Sequence, residues 1–213
     1  MELILTSNGE HINTHCSTLG RCSDRLSEKG ILDSLRLAKA LSDQHFDFIF
    51  CSDIGFRRTT TDLVVEFMKH DNFQIIVDPK IREKGAEICS HLTRETFEKT
   101  GESDPEQAKI LSRLFIKTDS VEHTPMLNET NDEVRERCQQ FLEDLMKSYP
   151  RDSKILIVGN PIVNSILAAL MLKKEGKEYH FLCNPCSLST YRFLNQKREM
   201  LKFNELNHLY GAN

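Results

Sequence analysis

The feature that most constrains this fold is the alternation of short apolar runs with stretches of helical periodicity along the chain. Runs of four or five mostly bulky apolar residues predict strands that are buried on both faces of a sheet. The predicted strands are residues 2–6, 46–50, 73–77 and 154–158, then an edge-like strand at 187–193 and a further one at 200–203. This alternation predicts an α/β fold, a three-layer α/β/α sandwich with a mostly parallel central sheet.

Four helical segments are predicted between the strands, one of which follows the strand at 154–158 and has Pro161 in its first turn. Apolar side chains recur with near-3.6 spacing over residues 31–41 and again from Asn131 onwards. Another helix is expected to begin at a cap formed by Ser52 or Asp53 and to run to about His70. These helices would cover both faces of the sheet.

A polar stretch separates the third strand from the helix at Asn131. Residues 85–127 are rich in Glu, Lys, Ser and Thr and contain two weak helical patterns, at 92–99 and 105–116. We interpret residues 1–213 as one domain that carries a polar helical insertion at about 85–127. The composition of the insertion fits a lid over a site and a partner-binding surface equally well.

Charge and hydropathy limit the partners that the chain can have. The formal net charge is -4, which argues against direct nucleic acid binding through a broad basic surface. The longest apolar run, at 155–172, is too short and too interrupted to cross a bilayer, so no membrane association is expected. The first residues lack the basic and long apolar regions of a signal peptide.

The cysteines indicate a reducing environment. Seven cysteines without regular spacing are typical of free thiols, which predicts a cytoplasmic or nuclear protein. Cys183 and Cys186 form a CxxC pair, but no second such pair and no histidine pair lies nearby. We therefore predict no metal site and no cofactor.

Polar residues follow two of the predicted parallel strands, at Thr6-Ser7-Asn8-Gly9 and at Val158-Gly159-Asn160-Pro161. In α/β sheets of this kind, ligands bind in the crevice beyond the carboxyl ends of the strands. The sequence therefore directs attention to Ser7, Asn8, Gly9 and Asn160.

These segments and others resemble, in order, the motifs of the histidine phosphatase superfamily, which is phosphoglycerate mutase-like in fold. The resemblance covers most of the chain outside the insertion. It rests on Ser7-Asn8-Gly9-Glu10 for the family's Arg-His-Gly-Glu, Cys51-Ser52-Asp53-Ile54 for Ser-Ser-Asp-Leu, Ile81-Arg82-Glu83 for Leu-Arg-Glu, Asn128-Glu129-Thr130 for Gly-Glu-Ser, Gly159-Asn160-Pro161 for Ser-His-Gly, and Asn184-Pro185-Cys186-Ser187 for a late Asn-x-Ser strand.

The departures from the family pattern fall on its chemistry. The resemblance places the nucleophilic histidine at Asn8, the arginine that clamps phosphate at Ser7, and the second histidine at Asn160. A carboxamide cannot accept a phosphoryl group as imidazole does, because its nitrogen lone pair is delocalised into the carbonyl. We therefore predict no catalytic residues, and we regard these positions as relics of a pocket.

The second strand leads to another set of relic positions. Phe56 stands where the resemblance implies an arginine, and Arg57 and Arg58 follow at once. Arg57 and Arg58 at a helix start could bind an anion, although a solvated helix face is the simpler interpretation. His11 and His15 lie close behind the first motif and could in principle replace the missing nucleophile.

Three functions stay open at this point. The leading hypothesis is a pseudophosphatase, an inactive domain that acts as a protein-binding or scaffolding subunit. The resemblance also implies self-association as a homodimer through the edge of the sheet. The alternatives are a non-catalytic sensor of a phosphorylated or small polar ligand, and a weak phosphatase with a rearranged site, acting on phosphomonoesters or phosphoproteins.

Overall fold

The computed structural model describes residues 1–11, 26–52, 55–82, 129–174, 176–194 and 197–210. The side chains at positions 56–58 and 178–179 are outside this description. The described elements are β1 (Glu2–Ser7), α1 (Glu28–Leu41), β2 (Phe48–Cys51), α2 (Gly55–Glu66), β3 (Gln74–Val77), α3 (Asn131–Ser148), β4 (Lys154–Gly159), α4 (Pro161–Met171), β5 (Leu188–Leu194) and β6 (Lys197–Glu205), with 3₁₀ turns at Pro79–Ile81, Glu178–Phe181 and Asn207–Leu209.

The strands form one mixed sheet in the order β3-β2-β4-β1-β5-β6. β1, β2, β3 and β4 are parallel to one another, whereas β5 and β6 run antiparallel at one side. The predicted α/β fold with a mostly parallel sheet is therefore confirmed. β1 and β4 lie side by side in the centre, so their carboxyl ends meet at the same edge.

Two apolar cores flank the sheet because alternate strand residues point to opposite faces. Leu3 and Leu5 of β1 pack in the core that contains α3 and α4. Ile4 packs in the other core, with α1 and α2. The three layers of the predicted sandwich follow from this alternation.

Helix ends follow the expected capping chemistry. Ser27 caps α1 by accepting a hydrogen bond from the Gly30 N–H. Thr130 and Glu133 form a reciprocal capping box at the start of α3. These two caps satisfy free N–H groups in the first turns of α1 and α3.

Several predicted boundaries differ from the observed ones. β2 begins at Phe48 and not at residue 46, and α2 ends at Glu66, short of His70. β6 spans Lys197–Glu205 because its pairing with β5 extends it beyond the apolar residues 200–203. Leu209, in the 3₁₀ turn after β6, is only 6% exposed and belongs to the α1–α2 core.

The insertion predicted at about 85–127 lies outside the described residues. Among the described residues, no helix is long and apolar enough to cross a membrane.

Candidate functional site

The central pair of parallel strands brings the two polar strand ends together. Ser7 of β1 is in register with Gly159 of β4, and the Asn8 N–H donates to the Gly159 carbonyl at 2.9 Å. Asn8 and Asn160, which follow these two residues, are therefore neighbours at the carboxyl edge of the sheet. Asn8 is 7% exposed and Asn160 is 1% exposed, so both amides are nearly buried.

Asn160 is the N-cap of α4. Its Oδ1 accepts a hydrogen bond from the Val163 N–H at 2.8 Å, and Pro161 occupies the first helical position. Its Nδ2 is buried and donates to no residue that the structure describes. The cap sets the orientation of the amide, because only the oxygen can accept from an N–H.

Asn8 turns back on its own loop. Its Nδ2 donates to the Gly9 carbonyl at 2.9 Å. This hydrogen bond likewise distinguishes the nitrogen of the Asn8 amide from its oxygen. Its Oδ1 is buried and accepts no hydrogen bond within the described part of the chain. Asn8 and Asn160 therefore each use one side-chain amide atom in a local hydrogen bond, and the other amide atom has no partner among the described residues.

Asn164 is a site residue that sequence reasoning missed. It is 1% exposed, one helical turn beyond Asn160, and its Nδ2 donates to the Thr6 carbonyl at 2.9 Å and lies 3.4 Å from the Ser7 Oγ. A Cβ added at Gly159 would lie 2.3 Å from the Asn164 Oδ1. The available signal was a polar residue in the otherwise apolar helix α4, four positions after Asn160.

The loop after β1 is held tightly against α1 and α2. The Gly9 N–H donates to the Thr60 Oγ1 at 3.1 Å. A Cβ at Gly9 would come within 2.6 Å of the Ser34 Oγ and 2.7 Å of the Gly30 carbonyl oxygen, so only glycine fits this contact. Ser7 is fully buried, and its carbonyl accepts from the Cys186 N–H at 3.0 Å.

The remaining predicted site residues are only partly described. Phe56, Arg57 and Arg58 lie in the first turn of α2, but the positions of their side chains are not described. The predicted anion site at Arg57 and Arg58 thus stays a prediction. His11 forms an isolated bridge with Leu26, and His15 lies outside the described residues.

The profile of the histidine phosphatase superfamily (branch 1) matches residues 8–206. The chain belongs to the histidine phosphatase superfamily. The resemblance recognised in the motifs is therefore confirmed at the level of the family.

Solved structures of this superfamily share the fold over nearly the whole chain. An α-ribazole phosphatase from Shigella flexneri is 20% identical with a TM-score of 0.73, covering 96% of each chain. A phosphoserine phosphatase from Entamoeba histolytica, in complex with 3-phosphoglyceric acid, is 18% identical with a TM-score of 0.70, covering 98% of each chain. The protein YhfR from Bacillus stearothermophilus is 18% identical with a TM-score of 0.72 and the same coverage. A comparison with curated protein sequences found no significant match.

A buried ion pair fixes the segment that leads into α3 of this histidine-phosphatase-like chain. Glu129 accepts from the Arg137 Nε at 2.5 Å and from its Nη2 at 3.1 Å. The Arg137 Nη1 also donates to the Lys80 carbonyl at 2.7 Å, which ties α3 to the turn after β3. Arg82, at the end of that turn, is 5% exposed. Sequence reasoning did not select Arg137, one of whose partners, Lys80, lies 57 positions away in the chain.

The two thiols of the CxxC motif are poor nucleophiles at neutral pH. Burial raises the pKa of Cys186 to about 12 and also raises the pKa of Cys183. A thiol reacts as its thiolate, so these raised values disfavour reactivity. No group of three metal-ligating side chains occurs among the described residues.

Proposed function

We propose that this chain is a catalytically inactive member of the histidine phosphatase superfamily, a pseudophosphatase that acts as a protein-binding or scaffolding subunit. The observation that carries the proposal is the pair of asparagine amides, Asn8 and Asn160, side by side at the carboxyl ends of β1 and β4. The superfamily pattern has a histidine at each of these places. An amide supplies neither the nucleophile nor the proton transfers of that reaction.

The local hydrogen bonds support this proposal. Asn160 is committed to capping α4, and the Asn8 Nδ2 is committed to the Gly9 carbonyl. Ser7, in the place of the phosphate-clamping arginine, is fully buried and lies against Asn164. Uncatalysed phosphate-monoester hydrolysis requires acceleration of up to roughly 10^21-fold. Losing members of one catalytic unit can remove about 10^6 in rate, so the loss of three groups leaves little activity.

The experiment is a phosphate-release assay with phosphoserine, 3-phosphoglycerate and an aryl phosphate. We expect no release above buffer for the unmodified chain and no change for Asn8→Ala. Far-UV circular dichroism of both samples verifies that they are folded. Turnover by the unmodified chain that disappears in Asn8→Ala would refute the inactive assignment.

The edge strand β3 offers a surface for protein binding. Within β3, Ile75 is 44% exposed and Val77 is 42% exposed. Charged residues and prolines usually protect the free edge of a sheet from pairing with another strand. The strand Gln74–Val77 contains neither. An uncharged apolar edge of this kind supports pairing with another strand.

The hydrogen bonds of β3 indicate how a second copy would pair. The Gln74 N–H donates to the carbonyl of Asp47, the residue before β2, and the Asp78 N–H donates to the Cys51 carbonyl in β2. Ile75 and Val77 alternate with the residues that bond to β2, so they direct their N–H and C=O groups outwards. An antiparallel two-fold pair centred on Ile75 would then align Phe73 with Val77 of the other copy. A homodimer through this edge is the self-association that we propose.

Sedimentation of the unmodified chain and of Ile75→Lys tests the homodimer. We expect the charge at the edge to shift the chain from dimer to monomer. Leu201→Lys is the matched control, since Leu201 is 41% exposed on β6 at the opposite side of the sheet. A monomeric unmodified chain would exclude the homodimer and leave a different protein as the partner.

A non-catalytic sensor of a phosphorylated or small polar ligand is the second candidate function. The unpartnered amide atoms of Asn8 and Asn160 favour it, because they remain available for hydrogen bonding. A thermal-shift screen with phosphate, sulfate and sugar phosphates tests the phosphorylated branch of this candidate, since a bound ligand raises the melting temperature. The absence of stabilisation at millimolar concentrations would count against that branch.

A cytoplasmic or nuclear location is part of the proposal. The described cysteines at positions 51, 138, 183 and 186 are free thiols, as expected in a reducing compartment. Fluorescence microscopy of the tagged chain tests the location, and a secreted product would contradict it.

A further inference from the structure

One of two neighbouring strand ends carries an unpartnered acceptor, and the other carries an unpartnered donor. The Oδ1 of Asn8 is the acceptor and the Nδ2 of Asn160 is the donor, and both are buried without a partner among the described residues. Leaving such groups unpaired costs about 1–3 kcal/mol each. Native proteins contain few of these groups, so two on adjacent strand ends need a physical explanation.

The assignment of these atoms follows from their other hydrogen bonds. The Asn160 oxygen is identified by the N–H of Val163, which it accepts at 2.8 Å. The Asn8 nitrogen is identified by the Gly9 carbonyl, to which it donates at 2.9 Å. Rotating either amide by 180° would place two acceptors or two donors against each other, so the arrangement is determined.

The backbone around this pair has little to offer an anion. A helix N-terminus binds anions through its free N–H groups. In α4, however, Pro161 has no N–H, the Val163 N–H is capped by Asn160, and the Asn164 N–H donates to the Asn160 carbonyl, which leaves only the Ile162 N–H of this first turn. In the loop after β1, the N–H groups of Asn8 and Gly9 donate to Gly159 and Thr60.

The Asn164 Oδ1, close to Gly159, is a further unpartnered acceptor. A hydroxyl group matches the unpartnered atoms of Asn8 and Asn160. It can accept from the Asn160 Nδ2 and donate its own proton to the Asn8 Oδ1. The dianion of a phosphate monoester has no proton to donate, and the negative charge of any phosphate species would face the partially negative Asn8 oxygen. We infer that Asn8 and Asn160 bind a neutral hydroxyl group of a small polar ligand in preference to phosphate. This inference rests on the sensor function proposed above and names its ligand class.

Nuclear magnetic resonance of the side-chain amides tests the inference directly. The NH₂ signal of Asn160 in ¹⁵N-labelled protein is assigned by its loss in Asn160→Ser. Glycerol is the hydroxyl probe, inorganic phosphate is the anionic probe, and the signal of exposed Asn207 is the internal control. We expect glycerol, but not phosphate at equal concentration, to shift the Asn160 signal while the Asn207 signal stays in place.

The variant Asn160→Ser separates ligand binding from folding. Serine keeps the N-cap and removes the unpaired Nδ2, so the variant should remain folded without the cost of an unpaired buried donor. Glycerol affinity, followed by titration of the Asn8 side-chain amide signals, should fall about tenfold with the lost hydrogen bond. A shift caused by phosphate and not by glycerol would establish an anion site and overturn the inference. The absence of any shift would overturn it too, because the amides of Asn8 and Asn160 would then be solvated only inside the protein. Phosphate release, measured on the same samples, tests the inactivity separately.

Discussion

Replacing the N-cap of α4 should reveal how far Asn160 now acts as a structural residue. In Asn160→Ala, the Val163 N–H loses its acceptor at 2.8 Å in a place where Val163 is fully buried. Loss of an N-cap typically costs ~1 kcal/mol, with a range of about 0.5–2 kcal/mol. The unsatisfied buried N–H places this site in the upper part of that range.

The comparison with Asn160→Ser isolates the cap from other effects. Both variants remove the unpartnered Nδ2, but only serine retains an oxygen that can accept from Val163. We expect the alanine variant to be less stable than the serine variant by about 1–2 kcal/mol. For a chain of this size, that difference corresponds to a melting temperature roughly 2–8 °C lower.

Urea denaturation at fixed pH measures this difference, with the slope m checked for equality between variants. Equal stability of the alanine and serine variants would refute the capping argument. Asn160→His, which restores the residue type of the superfamily, should also be less stable than the unmodified chain, because histidine is not among the preferred N-cap residues.

Three further changes have defined outcomes. Gly159→Ala should destabilise the fold by about 1–3 kcal/mol, because its Cβ would lie 2.3 Å from the Asn164 Oδ1, and adding Asn164→Ala should recover part of the loss. Glu129→Gln should cost about 3–5 kcal/mol in urea unfolding, because it leaves the nearly buried Arg137 without its charged partner. Burial lowers the pKa of His208, so the folded state favours the neutral ring. Its contribution to stability is present above the unfolded pKa of about 6.5 and is lost as the pH falls below it, and His208→Gln should flatten the dependence of the urea midpoint on pH in that range.

A matched surface ion pair provides the control for Glu129→Gln. Glu205→Gln breaks an ion pair with Lys202 whose side chains are 36% and 57% exposed, so its effect should stay within about 1 kcal/mol. Equal losses of unfolding free energy for Glu129→Gln and Glu205→Gln would contradict the argument that burial makes the loss of the Glu129–Arg137 pair more costly. A pH profile unaltered by His208→Gln would contradict the role given to that ring.

The sequence alone determined the fold class, the order of the elements and the family. Apolar runs such as 154–158 and periodic segments such as 31–41 are local signals, and a strand or helix is largely a local event. The rule that parallel strands open a crevice at their carboxyl ends also directed attention to Asn8 and Asn160. The structure places these two residues next to each other.

Tertiary structure decided what those residues do. The sequence did not indicate that the Asn160 side chain caps α4, that Asn164 reaches the Thr6 carbonyl across 158 positions, or that Arg137 pairs with Glu129. It also missed the burial of Leu209, which packs against a core assembled from distant helices and strands. Periodicity reports which face of an element is apolar, whereas the partner of a polar atom depends on the three-dimensional arrangement of segments far apart in the chain.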